Sequence, residues 1–293
     1  MKDLIDINKK EEFIFKMINK INQRYPINGI PILLYHRIGT ENDCKQLVSC
    51  VLIDEFDKEI NYLKKNNYYF INTEELINYI NGEIILPNKS VLITFDDGYK
   101  DNYIYAFPII KKYNAKATIF VNTNFIGRKV PLRVGSNIFD EVSPDKADVF
   151  YYFLSWDEIK EMHKEGIDFQ PHGHSHPDLT KIGEKDIIKE ICKSKEILEK
   201  TLRKKIYFFS YPFGRYDKRV ISLLQKQKFK ASFTVKFGIA KSKADLWTLP
   251  RNSIVKEVSF NKFKATLSEY MRWYKYISII YDKFLSKKER LNI

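Results

Sequence analysis

Apolar and polar positions along the chain predict strands and helices in alternation. Short apolar runs such as Ile30–Tyr35 and Ser90–Phe95 have the length and composition of buried strands. Between such runs, apolar residues recur every three or four positions, which predicts amphipathic helices. Further strands are predicted at 117–121, 167–170, 206–210, 231–234 and near Ile254, and helices at 8–22, 54–65, 73–80, 103–113, 155–166, 184–201 and 217–227.

This alternation is typical of βα units, and therefore of a parallel sheet. About six or seven such units in roughly 230 residues favour a closed α/β barrel over an open sheet. No glycine-rich phosphate loop follows any of the predicted strands, which weakens the dinucleotide-binding alternative. We therefore predict an N-terminal helical extension at 1–29, a barrel at 30–258 and a C-terminal amphipathic helix at 259–293.

The C-terminal segment is apolar and basic at once. Apolar residues from Phe263 to Phe284 repeat every three or four positions, and residues 256–293 carry nine Lys or Arg against four Asp or Glu. A helix that packs on the barrel together with the N-terminal helix is the favoured interpretation. The alternative is peripheral contact of 259–293 with an anionic membrane.

Composition narrows the classes of partner and compartment. The formal net charge of +13 favours anionic partners, but no nucleic-acid motif appears, so nucleic acid is not expected. Three cysteines, an odd number without repeated spacing, argue against a disulfide framework and for a reducing compartment. The N-terminus offers no apolar signal region, so we expect a cytoplasmic protein, peripheral to a membrane at most, or a chain that has lost its leader.

Two clusters of polar residues have the composition of a metal site. Three of the five histidines lie within Pro171–Pro177, and His172 and His176 are four residues apart, on one side of a helical turn. Two imidazoles and one carboxylate leave positions open on a zinc-like ion, as catalysis requires. Asp96 and Asp97 follow a buried strand and point in different directions, so one can bind metal while the other stays free as a base.

These motifs resemble those of a known family. Thr94-Phe-Asp-Asp-Gly98, His172-x-x-Ser-His176 and Tyr211-Pro-Phe-Gly214 are similar in order and spacing to the polysaccharide deacetylases of the NodB-homology type, carbohydrate esterase family four. The resemblance extends from about Pro31 to Ile254, and is greatest to the branch whose first strand ends in Tyr-His, here Tyr35-His36. It implies a distorted barrel of the (β/α)7 type that removes N-acetyl or O-acetyl groups with a divalent metal.

The resemblance also implies roles for individual residues. Asp97, His172 and His176 would bind the metal, most simply Zn²⁺, with Co²⁺, Ni²⁺ or Fe²⁺ as alternatives. Asp96 would be the general base that activates the attacking water. The backbone N–H of Phe213 would help to hold the tetrahedral oxyanion.

Two departures from the family pattern affect the mechanism. Many members have an arginine where Ser210 stands, and Arg251 is our candidate to replace its guanidinium, the alternative being a surface arginine. Many also use a late histidine as the general acid, but none follows His176. We therefore assign the acid to His36, with a structural histidine as the alternative.

Polar residues that follow the Asp-Asp-Gly motif have an open role. Tyr99, Asp101 and Asn102 can line the cleft or cap the following helix, and capping is favoured because Asp and Asn are common N-caps.

The leading functional prediction is a metal-dependent hydrolase that removes an N-acetyl group from a sugar or glycan precursor. Lipid-linked or nucleotide-linked sugars are favoured substrates because the chain is expected inside the cell. A degenerate barrel that only binds carbohydrate and an amidase that acts on a non-sugar amide are the alternatives.

Overall fold

The computed structural model describes most of the chain. Backbone is described for residues 2–24, 28–45, 47–128, 133–134, 137–138 and 152–281, and side chains for 8–24, 28–45, 47–128 and 152–281.

Helices and strands alternate through the described residues. The α-helices are α1 (Lys2–Arg24), α2 (Glu41–Cys44), α3 (Ile53–Lys65), α4 (Thr73–Asn81), α5 (Phe107–Lys112), α6 (Trp156–Lys164), α7 (Glu184–Leu202), α8 (Lys218–Lys226) and α9 (Phe260–Thr266), with a last helical segment at 274–281. The strands are β1 (Ile30–Tyr35), β2 (Arg37–Gly39), β3 (Cys50–Leu52), β4 (Tyr69–Ile71), β5 (Ser90–Asp97), β6 (Thr118–Val121), β7 (Arg133–Val134), β8 (Asn137–Ile138), β9 (Asp168–Pro171), β10 (Phe208–Ser210), β11 (Ala231–Phe233), β12 (Ile239–Ala240) and β13 (Asn252–Ser253). Shorter turns are a π-helix at Asn102–Ala106 and 3-10 helices at Leu179–Lys181, Pro212–Gly214 and Glu269–Trp273.

The strands form a distorted (β/α)7 barrel. The main sheet has the order β12-β1-β5-β6-β9, with β4 also paired to β5 and β13 to β1; all these pairs are parallel except β1 with β12. Parallel strands β10 and β11 form a separate pair. Between β9 and β10 a side chain makes the connection, because Gln170 Oε1 accepts a hydrogen bond from the backbone N–H of Phe208 at 3.2 Å. A parallel bridge from Phe233 to Leu249 continues the wall towards β13.

Side chains on both faces of β5 are buried, with Ile93 and Phe95 in one apolar cluster and Leu92 in another. Ile93 and Phe95 are fully buried beside Ile119 of β6 and Tyr35 of β1. The rings of Tyr35 and Phe95 stack with centroids 5.4 Å apart. Burial on both faces explains why these strands read as continuous apolar runs.

The predicted C-terminal helix is interrupted. Helix α9 ends at Thr266, a 3-10 turn follows, and the helix resumes at 274–281; residues 282–293 lie outside the described part of the chain. The break has a local cause, because Ser268 is extended (φ −138°) and its hydroxyl caps the next turn at the N–H of Tyr270. The segment packs on α1 through Ile14, Ile18 and Ile277. The domain bounds at 29/30 and 258/259 stay a prediction.

The cysteine expectation was wrong. The structure joins Cys44, at the end of α2, to Cys50, at the start of β3, in a disulfide with a Cα–Cα distance of 5.2 Å. An odd cysteine count does not prevent a local pair, and here a short loop returns the chain to the same place. The inference of a reducing compartment therefore loses its support. None of the helices in the described residues is both long and apolar enough to cross a bilayer.

Candidate active site

A cavity of about 230 Å³ opens where the carboxyl ends of the barrel strands meet. The structure brings six of the predicted site residues to this cavity and places the seventh, Arg251, behind them against Asp96. The lining residues are His36, Ser49, Asp96, Asp97, Tyr99, Asn122, Phe125, Phe153, His172, His176, Phe213, Gly214 and Val235.

Asp97, His172 and His176 form a group with the spacing of metal ligands. Their ligand atoms all lie within 4.8 Å of one another. Asp97 Oδ1 lies 3.5 Å from His176 Nε2 and 3.7 Å from His172 Nε2, and the two Nε2 atoms are 3.2 Å apart. Three electron-pair donors of this kind rarely converge without a cation between them, and two imidazoles with one carboxylate suit a divalent transition metal.

Neighbouring polar groups orient His172 and Asp97 towards the centre of this group. His172 Nδ1 lies 2.8 Å from the carbonyl oxygen of Ser210, so the proton belongs on Nδ1 and the Nε2 lone pair faces the group. Asn122 Nδ2 donates to Asp97 Oδ1 at 3.0 Å and orients that carboxylate. The described residues therefore fit a metal with two neutral imidazoles and an ionised carboxylate.

Backbone strain also marks the site. Asp97 (φ 76°) and His176 (φ 61°) both adopt the left-handed conformation that side chains other than glycine avoid. Gly98 follows with φ 76°, and a Cβ there would meet Val121 Cγ1 at 2.7 Å. The surrounding barrel therefore holds the ligands in conformations that their local sequence would not choose.

The loop that carries the two histidines is held from below by Glu190 of α7. Its carboxylate accepts hydrogen bonds from the backbone N–H groups of His174 and Ser175 and from the Ser175 hydroxyl, each at 2.7 Å. His174 itself turns away, with Nδ1 2.8 Å from Thr123 Oγ1. The buried carboxylate of Glu190 therefore holds the loop between the two predicted ligands in place.

Asp96 and Arg251 form a buried bidentate ion pair. Arg251 Nη1 donates to Asp96 Oδ1 at 2.8 Å and Nη2 to Oδ2 at 2.6 Å. Ser210, where the family resemblance led us to expect an arginine, accepts from Arg251 Nη2 at 2.7 Å and donates to Asp96 at 3.2 Å. Burial alone would raise the pKa of Asp96, but Arg251 and His172 hold it well below the usual range. Asp96 is therefore ionised, and it lies beside the three candidate ligands, with Oδ2 3.7 Å from His172 Nε2.

His36 lies on the wall of the cavity. Its backbone carbonyl accepts a hydrogen bond from Asn102 Nδ2 at 2.8 Å, while its buried Nδ1 finds no hydrogen-bond partner in the described part of the chain. Burial lowers the pKa of His36, against the opposing charges of Asp97 and Asp96. A lowered pKa makes protonation at neutral pH harder, so the general-acid role stays a prediction.

Phe213 sits in a tight turn at the far wall. Its φ of 58° lies in the left-handed region, and its ring meets the His176 ring edge-on at 4.5 Å. Gly214 follows because a Cβ there would lie 2.5 Å from Val235 Cγ2. The turn places Phe213 beside a predicted metal ligand, as an oxyanion donor would require; that role stays a prediction.

Comparison with known proteins decides the family. Residues 84–232 match the family model described as polysaccharide deacetylase, a span of more than half of the chain that includes both motifs with metal-ligand spacing. The chain belongs to the polysaccharide deacetylase family.

Individual relatives of this deacetylase agree in sequence and in fold. The poly-beta-1,6-N-acetyl-D-glucosamine N-deacetylase of Staphylococcus epidermidis is 28% identical over 248 residues, which cover 78% of this chain and 80% of that protein. The Streptococcus pyogenes deacetylase PplD, solved in complex with acetate, is 30% identical, with a TM-score of 0.70 over 83% of this chain and 100% of that one. BC0361, a polysaccharide deacetylase from Bacillus cereus, is 27% identical, with a TM-score of 0.66 over 83% of this chain and 70% of that one.

The deacetylase has a second polar network that the sequence did not reveal. Burial and the nearby Asp97 carboxylate raise the pKa of Tyr99, and the Arg37 guanidinium lies over the Tyr99 ring, 3.6 Å from its centroid. Asp101 accepts from Arg37 Nη1 at 3.2 Å and from the backbone N–H of Ile38 at 3.1 Å.

The network corrects the expected capping role. The Asp101 side chain makes no capping hydrogen bond, and the Asn102 amide donates to Asp101 and to the His36 carbonyl. Both residues therefore join the first two strands of the chain to the site, while Tyr99 lines the cleft. Their polar character after the Asp-Asp-Gly motif indicated a role at the site. Their partners Arg37 and His36 could not be predicted, because they lie more than 60 residues away in sequence.

Proposed function

We propose that this chain is a metal-dependent N-deacetylase that hydrolyses the acetamide of an N-acetylated sugar. One observation carries the proposal: the Asp97, His172 and His176 group shares a cavity with an ionised, arginine-paired Asp96. Hydrolysis of an amide by water requires an activated carbonyl and a base for the attacking water, and metal ligands with a separate carboxylate can provide both.

Asp97, His172 and His176 would hold one divalent metal, with zinc the first candidate and cobalt, nickel or iron the alternatives. When bound, such a metal supplies Lewis acidity to the carbonyl and makes water acidic enough to be deprotonated near neutral pH.

Asp96 takes the proton from the attacking water. Arg251 contributes by holding both carboxylate oxygens, so that the base keeps one orientation while it gains and loses a proton. The backbone N–H of Phe213 stabilises the negative charge on the former carbonyl oxygen. The departing amine needs a proton, since an amide anion is too basic to leave, and we assign that proton to His36.

An N-acetylated glycan or glycan precursor is the substrate class that we propose. Tyr99, Phe125 and Phe153 bring aromatic surface to the cavity lining, a kind of surface that packs against the apolar face of a pyranose ring. The similar S. epidermidis protein is named for a poly-β-1,6-linked N-acetylglucosamine, and PplD was solved with acetate, the other product of such a reaction.

Acetate release tests the proposal. Purified protein is incubated with N-acetylglucosamine oligomers, an O-acetylated sugar, a lipid-linked and a nucleotide-linked N-acetyl sugar, and a non-sugar acetamide. We expect acetate from an N-acetyl sugar, loss of that activity in a chelator, and recovery on adding a divalent metal. Oligomer binding without acetate release would instead establish a carbohydrate-binding barrel, and release from the non-sugar acetamide alone would establish an amidase.

Elemental analysis tests the metal separately. We expect one divalent ion per chain in the wild type and loss of that ion in Asp97→Ala and His176→Ala. His163→Ala is the matched control, since this half-buried histidine of α6 lies outside the cavity. Equal metal content in all four proteins would remove the ligand assignment.

A further inference from the structure

The two terminal helical segments present an exposed surface that the deacetylase mechanism does not use. Helix α1 and residues 269–281 pack against each other through Ile14, Phe15, Ile18 and Ile277, with Ala265 of α9. Their outer side is unusually apolar. Half of the large apolar side chains exposed in the described residues lie on these segments, namely Phe13, Met17, Trp273, Tyr276, Ile279 and Ile280, which are 39–74% exposed.

The two segments also meet on this outer side, at both ends of the described part of α1. The Phe13 ring lies 5.1 Å from that of Tyr281, which joins α1 to the last helical segment. At the other end of α1, Lys20 and Arg24 share a groove with Tyr270 and Trp273. We call this outer side of residues 8–24 and 269–281 the basic aromatic face.

Charge is segregated across the same segments. The exposed ionisable side chains in residues 8–24 and 269–281 are all basic: Lys9, Lys16, Lys20, Arg24, Arg272 and Lys275. The acidic side chains of these segments are half-buried and engaged. Glu11 accepts from the Tyr274 hydroxyl at 2.9 Å, Glu12 from Ser259 and Asn261 at 2.6 Å each, and Glu269 from Lys241 at 2.7 Å. Arg272 also lies 3.6 Å from Glu269, but basic side chains outnumber acidic ones among the described side chains of these segments, so the face carries an excess of positive charge.

We propose that the basic aromatic face docks the protein on a bilayer that contains anionic lipid. Aromatic and aliphatic side chains flanked by lysine and arginine suit the boundary between head groups and acyl chains. Aliphatic Met17, Ile279 and Ile280 would gain nothing from a soluble polyanion. Pairing two copies through this face would bring lysines against lysines, because the same patch meets itself in a two-fold interface.

The basic aromatic face and the cavity lie at different edges of the barrel, so a protein docked through the face can still bind substrate. The carboxyl end of α1 shares a second groove with Tyr68 and Lys89, which precede β4 and β5 at the amino edge of the barrel. The catalytic cavity opens at the opposite, carboxyl edge. Docking at this end of the face therefore leaves the cavity open, and substitutions on the face should not change turnover of a soluble substrate.

Vesicle flotation with the full chain tests the proposal. Vesicles of phosphatidylcholine with about 30% phosphatidylglycerol are compared with pure phosphatidylcholine, at low and at high salt. We expect binding to the anionic vesicles that weakens at high salt, and weak binding to the neutral ones. Trp273→Ser/Ile280→Ser and Lys16→Gln/Lys20→Gln should each weaken binding by about tenfold or more.

Matched controls lie elsewhere on the surface. Ile85→Ser/Ile188→Ser removes two other exposed apolar side chains, and Lys185→Gln/Lys189→Gln removes two exposed lysines of α7. We expect both controls to bind like the wild type. Circular dichroism of every variant checks that it is folded. Absence of binding to anionic vesicles, or equal loss in face and control variants, overturns the proposal. Self-association of the wild type that the face variants abolish, without vesicle binding, would make the face an interface between copies and also overturns it.

Discussion

The guanidinium of Arg251 donates two parallel hydrogen bonds to the Asp96 carboxylate, at 2.8 and 2.6 Å. Both side chains are almost completely buried. Arg251 Nε also donates to the Thr234 carbonyl at 2.9 Å, so the arginine is fixed from behind. A buried pair held in this way keeps the carboxylate ionised and in one orientation.

Arg251→Lys tests whether the charge of the arginine or its two parallel hydrogen bonds to Asp96 matter for activity. In Arg251→Lys the positive charge remains but the planar fork is lost, so Asp96 is no longer held at both oxygens. We expect kcat to fall by about tenfold to a hundredfold, with metal content unchanged. Arg219→Lys, which alters an exposed pair with Asp217, is the control and should retain full activity. Wild-type turnover in Arg251→Lys would show that the pair does not position the base.

Asp96→Asn should separate the base from the metal ligands. The amide keeps the shape of the side chain but cannot accept the proton of water, so we expect turnover to fall by about 10²–10⁴-fold while metal stays bound. Asp97→Asn is the matched comparison and should lose metal, because it changes a ligand. Metal content and acetate release are measured on both. Loss of metal in Asp96→Asn and retention in Asp97→Asn would exchange the two roles.

His36→Ala tests the assignment of the general acid. We expect a loss of about 10²-fold or more in turnover, with fold and metal retained. Because the acid must be protonated, the rate should fall as pH rises through the pKa of His36, which burial holds below its ordinary value of 6.5. The wild-type rate profile should therefore have an alkaline limb that the variant lacks, and the acidic limb should belong to Asp96. An unchanged alkaline limb and near-normal turnover would exclude His36.

Tyr99→Phe tests whether the second network supports the metal. The change removes only the hydroxyl beside the Asp97 carboxylate, and the ring can stay between Arg37 and Phe153. Loss of a partner that orients a ligand commonly weakens metal binding by about 10- to 100-fold. Competition with a chelator measures that affinity. Tyr103→Phe, which removes a hydroxyl bonded to Glu161, is the control; equal affinities in the two variants would contradict the prediction.

Glu59 should make the stability of the fold depend on pH. This buried carboxyl accepts a hydrogen bond from the Tyr35 hydroxyl at 2.8 Å, and burial raises its pKa to about 8. A raised pKa in the folded state means that the stabilising contribution of the protonated form is complete below the unfolded value near 4.5 and is lost as pH rises through about 8.

Denaturant titrations of the wild type and Glu59→Gln at several pH values measure this contribution. We expect the free energy of unfolding of the wild type to fall relative to that of Glu59→Gln between about pH 4.5 and 8. Glu74→Gln, at an exposed position of α4, should follow the wild type. Parallel curves for wild type and Glu59→Gln would show that Glu59 does not titrate in this interval.

The sequence by itself predicted most of the strands and helices and the polar residues that meet at the cavity. Apolar runs and helical spacing are local patterns, and they located β1, β5, β6 and most of the helices to within a few residues. The positions of Asp96, Asp97, His172 and His176 just after strands were sufficient to bring them together, because the carboxyl ends of parallel strands meet at one edge of a barrel.

Tertiary structure decided what those local patterns cannot specify. Arg251 reaches Asp96 across 155 residues of sequence, and Arg37 and Asp101 meet across 64, because closure of the barrel sets strands β1, β5 and β13 side by side. Periodicity carries no information on such pairings, nor on the turn that brings Cys44 to Cys50. Helical spacing also does not reveal the interruption after α9, where Ser268 is extended and its hydroxyl caps the next turn.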